Sequence, residues 1–289
     1  MLAKLLLILA RKKRDLVEKY FCKTLNKTFL TELVQISRSS IYYDHKLPAR
    51  DLEFFSTVVT VMKQDPAYGT ERIALNLSVS KQKVHRIKQK FNLYPIKSKR
   101  KPKKKRDLGK DHSSHSNLIK DLTVIAPRTV YASDFTYIPF EGKFVYLATV
   151  IDLFTREIVG WQVSRRHTAS MIKEALLDSI QRTGQTPDLI HSDQGSEYKS
   201  KEYQNFLKAN QIKCSMSSKA SPWQNGFQES FYGSFKEELD STKEFENLGE
   251  LIEAIHQTIN YYNKDRIHTV LKTSPAKFFQ NHQKLKMQA

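Results

Sequence analysis

Three acidic residues in this 289-residue chain have flanks and spacing that suit the chemistry of phosphate esters. Asp134 lies in Tyr131-Ala-Ser-Asp-Phe-Thr-Tyr-Ile138, and Asp193 lies in His191-Ser-Asp-Gln-Gly-Ser-Glu-Tyr198. Glu229 follows Asp193 after 35 intervening residues. Phosphodiester chemistry uses hard divalent cations held by carboxylate oxygens, with two ions about 3.5–4 Å apart at the attacking and leaving oxygens. The three carboxylates therefore predict a two-metal site that cuts and joins nucleic-acid strands.

A helix is predicted to carry the third carboxylate. Ser221-Pro-Trp-Gln224 combines a capping serine, a proline at the first helical position and a glutamine at the capping-box position. Glu229 and Lys236 are seven residues apart and share one face of this helix. That face would present a carboxylate to the metal ions and an ammonium group to DNA. Apolar residues at every fourth position predict a second face that packs on a sheet, namely Phe227, Phe231, Phe235 and Leu239.

The positive charge of the chain is concentrated in its first third. Residues 1–110 hold 27 of the 48 Lys and Arg but only nine of the 30 Asp and Glu. The remaining residues hold 21 of each and are neutral, so the whole net charge of +18 belongs to the first third. Because phosphate neutralisation releases counterions, a basic block of this kind indicates a nucleic-acid-binding region in front of a balanced globular domain.

Two segments of the basic region have the pattern of short helices joined by a tight turn. The first places Thr28–Val34 before Arg38–Tyr43, and the second places Glu71–Leu77 before Lys81–Lys90. Such units can present a helix to the DNA major groove, although many helix pairs never touch DNA. The basic stretch 97–106 has eight Lys or Arg in ten residues and cannot form a packed core. The predicted DNA-binding residues are Arg38, Lys81, Lys83, Arg86, Lys88, Lys99, Arg100, Lys103, Lys104, Arg106 and Lys236. Four of them, Lys81, Lys83, Arg86 and Lys88, are expected on the exposed side of the helix at Lys81–Lys90.

The sequence changes character near Val124 and predicts an α/β domain. Three β-rich segments, 130–138, 144–151 and 157–163, are separated by turn signals and predict an antiparallel meander. A helix, a short strand, a helix, a strand and a last helix follow. This order predicts a mixed five-stranded sheet with flanking helices, with Asp134 on the first strand and Asp193 just past the fourth.

Other chemistries have less support. Cys22 and Cys214 are isolated, so neither a disulfide framework nor a cysteine metal site is predicted, and a reducing compartment is expected. His191 lies close to Asp193, but oxygen-preferring cations disfavour imidazole, so a structural role is expected. The apolar run from Leu5 to Ala10 is too short to span a bilayer.

Taken with their flanks, the three acidic residues resemble a known family. Asp134-Phe-Thr-Tyr, His191-Ser-Asp-Gln-Gly-Ser, Glu229-Ser-Phe-Tyr-Gly-Ser-Phe-Lys236 and Tyr261-Tyr-Asn-Lys-Asp-Arg-Ile-His268 are similar to the bacterial insertion-sequence transposases of the DDE, retroviral-integrase-like superfamily. The match is closest to the second-reading-frame proteins of the family named after insertion sequence three.

The resemblance implies an RNase H-like catalytic core with Asp134, Asp193 and Glu229 as the metal-binding and catalytic triad. It implies two Mg²⁺ ions, with Mn²⁺ as a substitute, and Lys236 as a catalytic residue that positions DNA. Its implied partners are double-stranded DNA of element ends and target, further copies of the chain and an upstream reading-frame fusion partner, with no membrane. The expected location is the bacterial cytoplasm, at the nucleoid.

These expectations divide the chain into five parts. Residues 1–46 and 47–96 form two helix-turn-helix-like modules, 97–123 a basic linker, 124–240 the catalytic core and 241–289 a C-terminal helical segment. The predicted function is transposition, in which the enzyme cuts to expose a 3′-hydroxyl and joins it to DNA. Two alternatives stay open: a catalytically silent, transposase-derived DNA-binding protein, and an RNase H-type nuclease.

Overall fold

A computed structural model describes residues 12–13, 15–17, 19, 27–37, 39, 47–94, 116–217, 225–239 and 245–288. The chain divides into two compact units, residues 1–59 and 60–289. Within the described segments, none of the helices combines the length and apolar character needed to cross a bilayer.

The first unit contains a short helix, α1, at Lys27–Leu33. A longer helix, α2, begins at Leu47 in the first unit and ends at Gln64 in the second. Leu30 of α1 is buried together with Val17. Gln35 turns the chain after α1 with a positive φ of 55°. This matches the first helix and turn of the first predicted module. Its second helix, at Arg38–Tyr43, lies almost entirely outside the described residues.

A pair of helices follows in the second unit, α3 at Thr70–Asn76 and α4 at Lys81–Lys90. Ser80 caps α4, because its hydroxyl oxygen accepts a hydrogen bond from the backbone N–H of Lys83 at 3.3 Å. Ser78 adopts a left-handed φ of 52° in the turn between the helices. The structure therefore contains the helix–turn–helix pair that the sequence predicted here.

The centre of the second unit is a five-stranded mixed sheet. Its strands are β1 at Val130–Phe140, β2 at Lys143–Asp152, β3 at Ile158–Ser164, β4 at Leu189–Ser192 and β5 at Lys213–Met216. Their spatial order is β3-β2-β1-β4-β5. The first three strands are antiparallel, whereas β4 pairs parallel to β1 and β5 parallel to β4. The predicted mixed five-stranded α/β arrangement, with a meander followed by two parallel strands, is confirmed.

Helices cover both faces of this sheet. The described helices after β3 are, in chain order, α5 at Ala169–Thr183, α6 at Ser196–Lys199, α7 at Lys201–Ala209, α8 at Gly226–Glu238, α9 at Leu248–Lys264 and α10 at Pro275–Gln288. One core lies between the sheet and α5, α6 and α7. A second core lies between the opposite face and α8 and α9. Burial of apolar area on both faces gives this unit most of its stability.

Helix α8 differs in detail from the sequence expectation. Phe231, Phe235 and Leu239 are buried in the second core, as their spacing predicted. Phe227 is instead 38% exposed, and the Arg156 guanidinium lies over its ring at 4.0 Å from the centroid. Phe227 sits at the first turn of α8, where the helix no longer faces the core. The predicted helix start at Ser221 lies outside the described residues, and the α-helix itself begins at Gly226 after Asn225.

Candidate active site

The first two acidic residues lie where one strand extends past its neighbour. The parallel pairing of β1 with β4 covers only Val130–Ala132 against Leu189–His191. Asp134 is two residues beyond the end of this pairing, and Asp193 directly follows the last residue of β4. Because the two strands are parallel, both carboxylates come to the same end of the sheet. In open α/β sheets, ligands bind at this carboxyl end of the strands.

Asp134 is partly buried, and its surroundings disfavour its negative charge. Its Oδ1 atom accepts a hydrogen bond from the backbone N–H of Phe135 at 2.8 Å, which favours the charged form. Burial and the negative charges of Asp193 and Glu229 act in the opposite direction and raise the pKa of Asp134 to about 7. The three acidic residues are therefore close enough for their charges to interact, although they come from three different elements.

Asp193 is held by the turn that follows β4. Its Oδ1 atom accepts a hydrogen bond from the backbone N–H of Gly195 at 2.9 Å. A Cβ atom at Gly195 would lie 3.0 Å from this oxygen and 3.1 Å from Oε2 of Glu197. Since Gly195 has an ordinary φ of −54°, a side chain here would not strain the backbone but would be crowded by two carboxylates.

Glu229 is positioned by two buried polar side chains on the same helix. The amide nitrogen of Gln228 donates to the carbonyl oxygen of Ala132 at 2.7 Å. The hydroxyl of Tyr232 donates to the carbonyl oxygen of Asp134 at 2.7 Å. The Thr149 hydroxyl on β2 contacts both side chains, at 2.9 and 2.8 Å. These bonds fix α8 to β1 at Ala132 and at Asp134 itself, so α8 cannot move relative to Asp134 without breaking buried hydrogen bonds.

Lys236 lies beside the β1–β2 hairpin. Its Nζ atom is 4.7 Å from the ring centroid of Tyr137, in a cation–π arrangement. Burial lowers the pKa of Lys236. Seven residues separate Lys236 from Glu229, which corresponds to about 10 Å along a helix. The ammonium group is therefore near the acidic residues but outside their immediate surroundings.

The donor set suits a hard divalent cation. All three side chains offer only carboxylate oxygens, the ligands that Mg²⁺ prefers. The raised pKa of Asp134 shows that negative charge accumulates there, and a bound cation would relieve it. In the described part of the chain, no three His, Cys, Asp or Glu side chains converge closely enough to enclose one ion. The carboxylates are thus near enough for Asp193 and Glu229 to raise the pKa of Asp134, without enclosing a single point.

His191 has the structural surroundings that the sequence suggested. It is fully buried on β4, and its Nδ1 atom lies 2.8 Å from the hydroxyl oxygen of Ser215 on β5. This contact joins the two parallel strands directly before Asp193.

Apart from Lys236, which lies on α8, the predicted DNA-binding residues fall into three groups. Lys81, Lys83 and Arg86 are exposed on α4. The expectation that Lys88 is exposed on the same side is wrong, because Lys88 is only 7% exposed. It is four residues after buried Val84, so it falls on the inner face of the helix. The remaining candidates lie outside the described residues: Arg38, Lys99, Arg100, Lys103, Lys104 and Arg106.

The sequence reasoning missed the residues that hold the site together. Gln228 was not singled out, and no role was predicted for Tyr232, whose hydroxyl donates to the carbonyl oxygen of Asp134. An uncharged polar residue within a helix that faces a core is the signal that could have identified Gln228. His167 and Glu197 were missed as well, and their side chains pair at 2.6 Å close to Gly195. Their positions are 30 residues apart, so sequence spacing gave no signal for this pair.

Family models and curated relatives of this chain point to insertion-sequence transposases. Two models described as integrase core domain match residues 126–222 and 210–275. The transposase for insertion sequence element IS904 of Lactococcus lactis is 38% identical over 172 residues, covering 58% of this chain and 68% of that protein. InsK, a protein of insertion sequence element IS150 in Escherichia coli, is 30% identical over 254 residues, covering 84% of this chain and 89% of its own length. Among solved structures, the HTLV-2 integrase catalytic core domain in complex with magnesium matches with 20% identity and a TM-score of 0.44, covering 53% of this chain and 96% of that one.

Proposed function

The chain belongs to the bacterial insertion-sequence transposases of the insertion-sequence-three kind and is a DDE-type polynucleotidyl transferase, and we propose that Asp134, Asp193 and Glu229 are its catalytic triad. One observation carries this assignment. The negative charges of Asp193, in the turn after β4, and Glu229, on α8, act together with burial to raise the pKa of Asp134, on β1, to about 7. Perturbed carboxylates that cluster at the end of a sheet mark functional sites.

The triad would hold two Mg²⁺ ions, for which Mn²⁺ can substitute. When bound, such ions increase the acidity of an attacking water or hydroxyl and neutralise charge on the leaving oxygen. The protein supplies the geometry. Phe135 and Gly195 direct the Asp134 and Asp193 carboxylates through backbone N–H groups, while Gln228 and Tyr232 fix the helix of Glu229.

The reaction proceeds in two displacements at phosphorus. In the first, a water oxygen forms a new P–O bond, the P–O3′ bond at the element end breaks, and the departing oxygen takes up a proton to become a 3′-hydroxyl. In the second, this 3′-hydroxyl loses its proton and attacks a phosphodiester of the target, whose own 3′-oxygen leaves. Each step exchanges one P–O bond for another, so joining needs no external energy source. Lys236, near the hairpin, would hold a DNA phosphate beside the reacting group.

The other parts of the chain would bind and assemble on DNA. Lys81, Lys83 and Arg86 are the exposed basic residues of α4 that we assign to the terminal repeats, and the basic linker 97–123 would follow the DNA backbone. In this division, residues 1–46 and 47–96 bind DNA, 124–240 cut it and 241–289 support the core. Strand joining at two element ends calls for a homo-oligomer, and an upstream reading-frame product is a further candidate partner.

A cutting assay with matched variants tests the triad. Purified wild type and Glu229→Gln are incubated with Mg²⁺ and DNA that carries the flanking sequences of the gene, and nicks are mapped to the nucleotide. Glu253→Gln is the control, because Glu253 is an exposed residue of α9 outside the site. The wild type and the control are expected to produce 3′-hydroxyl nicks at the element ends. Glu229→Gln should reduce the rate by about 1,000-fold or more, equivalent to ~4 kcal/mol of transition-state stabilisation, while DNA binding is retained.

The alternatives predict different results in the same assay. Binding by the wild type without metal-dependent nicks would indicate a DNA-binding protein derived from a transposase. Cutting of an RNA–DNA hybrid in preference to duplex DNA would indicate an RNase H-type nuclease. Unchanged cutting by Glu229→Gln would remove Glu229 from the triad.

A further inference from the structure

A group of aromatic side chains lies on one face of the β1–β2 hairpin, and one of them, Phe135, directly follows Asp134 in β1. Tyr137 and Phe144 contact each other with ring centroids 5.0 Å apart, and they are 55% and 51% exposed. Tyr146 is directly opposite Tyr137 in the register of the two strands and therefore on the same face. Phe135, the residue after Asp134, packs edge-on against Tyr146 at 6.4 Å. We call these four residues and His167 the aromatic strip.

His167 forms the end of the strip nearest the acidic residues. Its ring stacks on Phe135 with an angle of 9° between the planes and a centroid distance of 5.9 Å. It also lies 4.9 Å from the ring of Tyr146. Its Nδ1 atom pairs with Glu197 at 2.6 Å, and Glu197 itself borders Gly195 in the Asp193 turn. The aromatic strip is thus attached directly to the turn that holds the second carboxylate.

Helix α5 does not cover the aromatic strip, because the helix begins only at Ala169, after His167. Tyr131, Val150 and Val159 on the same face are buried beneath α5 and its neighbours. Thr168 is the N-cap of α5, so the helix starts just past His167. Beyond that point the hairpin continues to Phe140, and no helix in the described part of the chain covers the exposed rings of Tyr137 and Phe144. Adjoining exposed rings are uncommon on a soluble domain and indicate a surface that binds something.

Positive charges surround the strip and indicate its occupant. Arg165, Arg166 and Lys143 are exposed residues that flank it in the chain. Lys236 lies over the outer ring of Tyr137 from the opposite side of the sheet. Two carboxylates are present, Glu197, which is paired with His167, and Glu141 at the hairpin turn. A row of rings bordered by cations fits single-stranded nucleic acid, in which bases stack on the rings and phosphates contact the cations.

We propose that the aromatic strip binds unpaired bases of the DNA strand that passes through the catalytic site. This inference rests on the proposed function, because the strip begins at Phe135, the residue after Asp134 on β1, and ends at His167, which pairs with Glu197 in the Asp193 turn. Bases can stack on the exposed rings of Tyr137 and Phe144 only when they are outside the duplex. The strip therefore distinguishes a frayed or single-stranded DNA end from a fully paired one.

Binding to two DNA ligands of the same sequence tests the proposal. One is a blunt duplex and the other carries a four-nucleotide single-stranded overhang at the cutting position. Affinities are measured in the Glu229→Gln background, so that the DNA stays intact. The background protein is expected to prefer the overhang by about tenfold or more, the effect of one base stacked on an aromatic ring. Tyr137→Ala/Phe144→Ala is expected to reduce this preference to about twofold or less, with the affinity for blunt DNA nearly unchanged.

A second variant separates base stacking from contact with another protein copy. Tyr137→Leu/Phe144→Leu keeps an apolar surface but removes both rings, so it should lose the overhang preference as completely as the alanine variant does. Leu285→Ala, which removes an apolar residue that is 66% exposed on α10, should keep it. Retention of the preference by the leucine variant, or a change of oligomeric state with the alanine variant alone, would overturn the assignment to DNA.

Cutting by the wild type on the same overhang DNA separates this inference from the proposed function. Normal end-specific cutting with equal binding of blunt and overhang DNA rejects the aromatic strip and leaves the triad intact. Overhang preference without any cutting rejects the triad and supports the strip. A protein that binds neither ligand contradicts both.

Discussion

Asp134 holds its proton more tightly than an aspartic acid in water does. Burial and two neighbouring negative charges raise its pKa from 3.8 to about 7. Between these two values the folded state carries a proton that the unfolded state has released. This residue therefore makes the free energy of unfolding increase as pH falls from about 8 towards 4, and its ionised form destabilises the metal-free protein above pH 7.

The neutral variant Asp134→Asn is expected to stabilise the metal-free protein most at high pH. Its asparagine oxygen can still accept the Phe135 hydrogen bond, whereas the buried negative charge is gone. At pH 8 the gain should be on the order of 1–2 kcal/mol, and it should shrink steadily towards pH 4. Chemical denaturation in EDTA at both pH values measures this. A gain that is the same at pH 8 and pH 4 would show that the charge of Asp134 has no part in it.

Mg²⁺ and protons should compete for the same carboxylate. If Asp134 is a metal ligand, the ion binds its ionised form, so apparent Mg²⁺ affinity should decline as pH drops below about 7. Titration of Mg²⁺ at pH 6, 7 and 8, followed by thermal stabilisation of the wild type, checks this. Asp134→Asn is the reference, and stabilisation that is independent of pH would contradict the assignment of Asp134.

At the scale of elements, β3 and α5 approach closely at one glycine. A Cβ atom at Gly160 would lie 2.3 Å from the carbonyl oxygen of Ala175 and 2.6 Å from the backbone nitrogen of Ser179. Both neighbours are helix backbone and cannot rotate away. The helix can therefore cover the Tyr131 side of the sheet at this distance only because residue 160 has no side chain.

Gly160→Ala is expected to destabilise the second unit by about 1–3 kcal/mol, the usual cost of overpacking a core. Gly226→Ala is the matched control, because nothing lies within 4 Å of a Cβ atom there and alanine favours helix. Urea unfolding of both variants gives the comparison. Equal stability of the two would mean that β3 and α5 separate without cost.

Helix α4 is the element that should control the salt dependence of DNA binding. Replacing Lys81, Lys83 and Arg86 together with alanine removes three exposed positive charges and leaves the buried residues of the helix in place. If each contacts one phosphate, the slope of log K against log salt should become shallower by about 2.7. A triple variant on the C-terminal helices, Lys264→Ala/Lys277→Ala/Lys286→Ala, is the control and should leave the slope unchanged. An unchanged slope for the α4 variant would mean that DNA does not contact these three residues.

At the scale of the whole second unit, a charged pair connects the catalytic helix to the C-terminal segment. The Arg266 guanidinium donates to a Glu238 carboxylate oxygen, and Arg266 is only 3% exposed. The nearby Arg72 donates to the carbonyl oxygen of Ile267 at 3.0 Å, and the Ile267 N–H donates to the hydroxyl of Tyr68 at 2.8 Å. The residues before α3, the end of α8 and the segment after α9 are therefore held together.

Arg266→Met is expected to cost about 3–5 kcal/mol, because it leaves the Glu238 charge buried without its partner. The double variant Arg266→Met/Glu238→Leu should recover much of that loss, since a buried ion pair contributes little more than a well-packed apolar pair. Thermal unfolding of the single and double variants measures both effects. If the double variant is no more stable than Arg266→Met, the loss comes from packing and not from the charge.

The sequence predicted those parts of the fold that depend on local pattern. Strand alternation and turn residues located the meander, and Lys81–Lys90 was predicted with its observed bounds. The predicted order of elements placed Asp134 on the first strand and Asp193 just past the fourth, as observed. Contacts between distant residues could not be read in this way. Lys88 was expected to be exposed because charge suggested solvent, whereas helical periodicity places it inward. His167 meets Glu197 only after α5 and β4 fold onto β1.

Glu229 lies on a helix that later parts of the chain also hold. Phe231 packs against Tyr262 of α9 with ring centroids 4.8 Å apart, and Glu238 is paired with Arg266. A nascent chain that has not yet emerged beyond residue 266 lacks both contacts, so the hydrogen bonds of Gln228 and Tyr232 would hold this helix against β1 without them. All three proposed triad residues would then be present before the helix of Glu229 is fully secured, so a product shortened before residue 266 should cut DNA more weakly than its three carboxylates suggest.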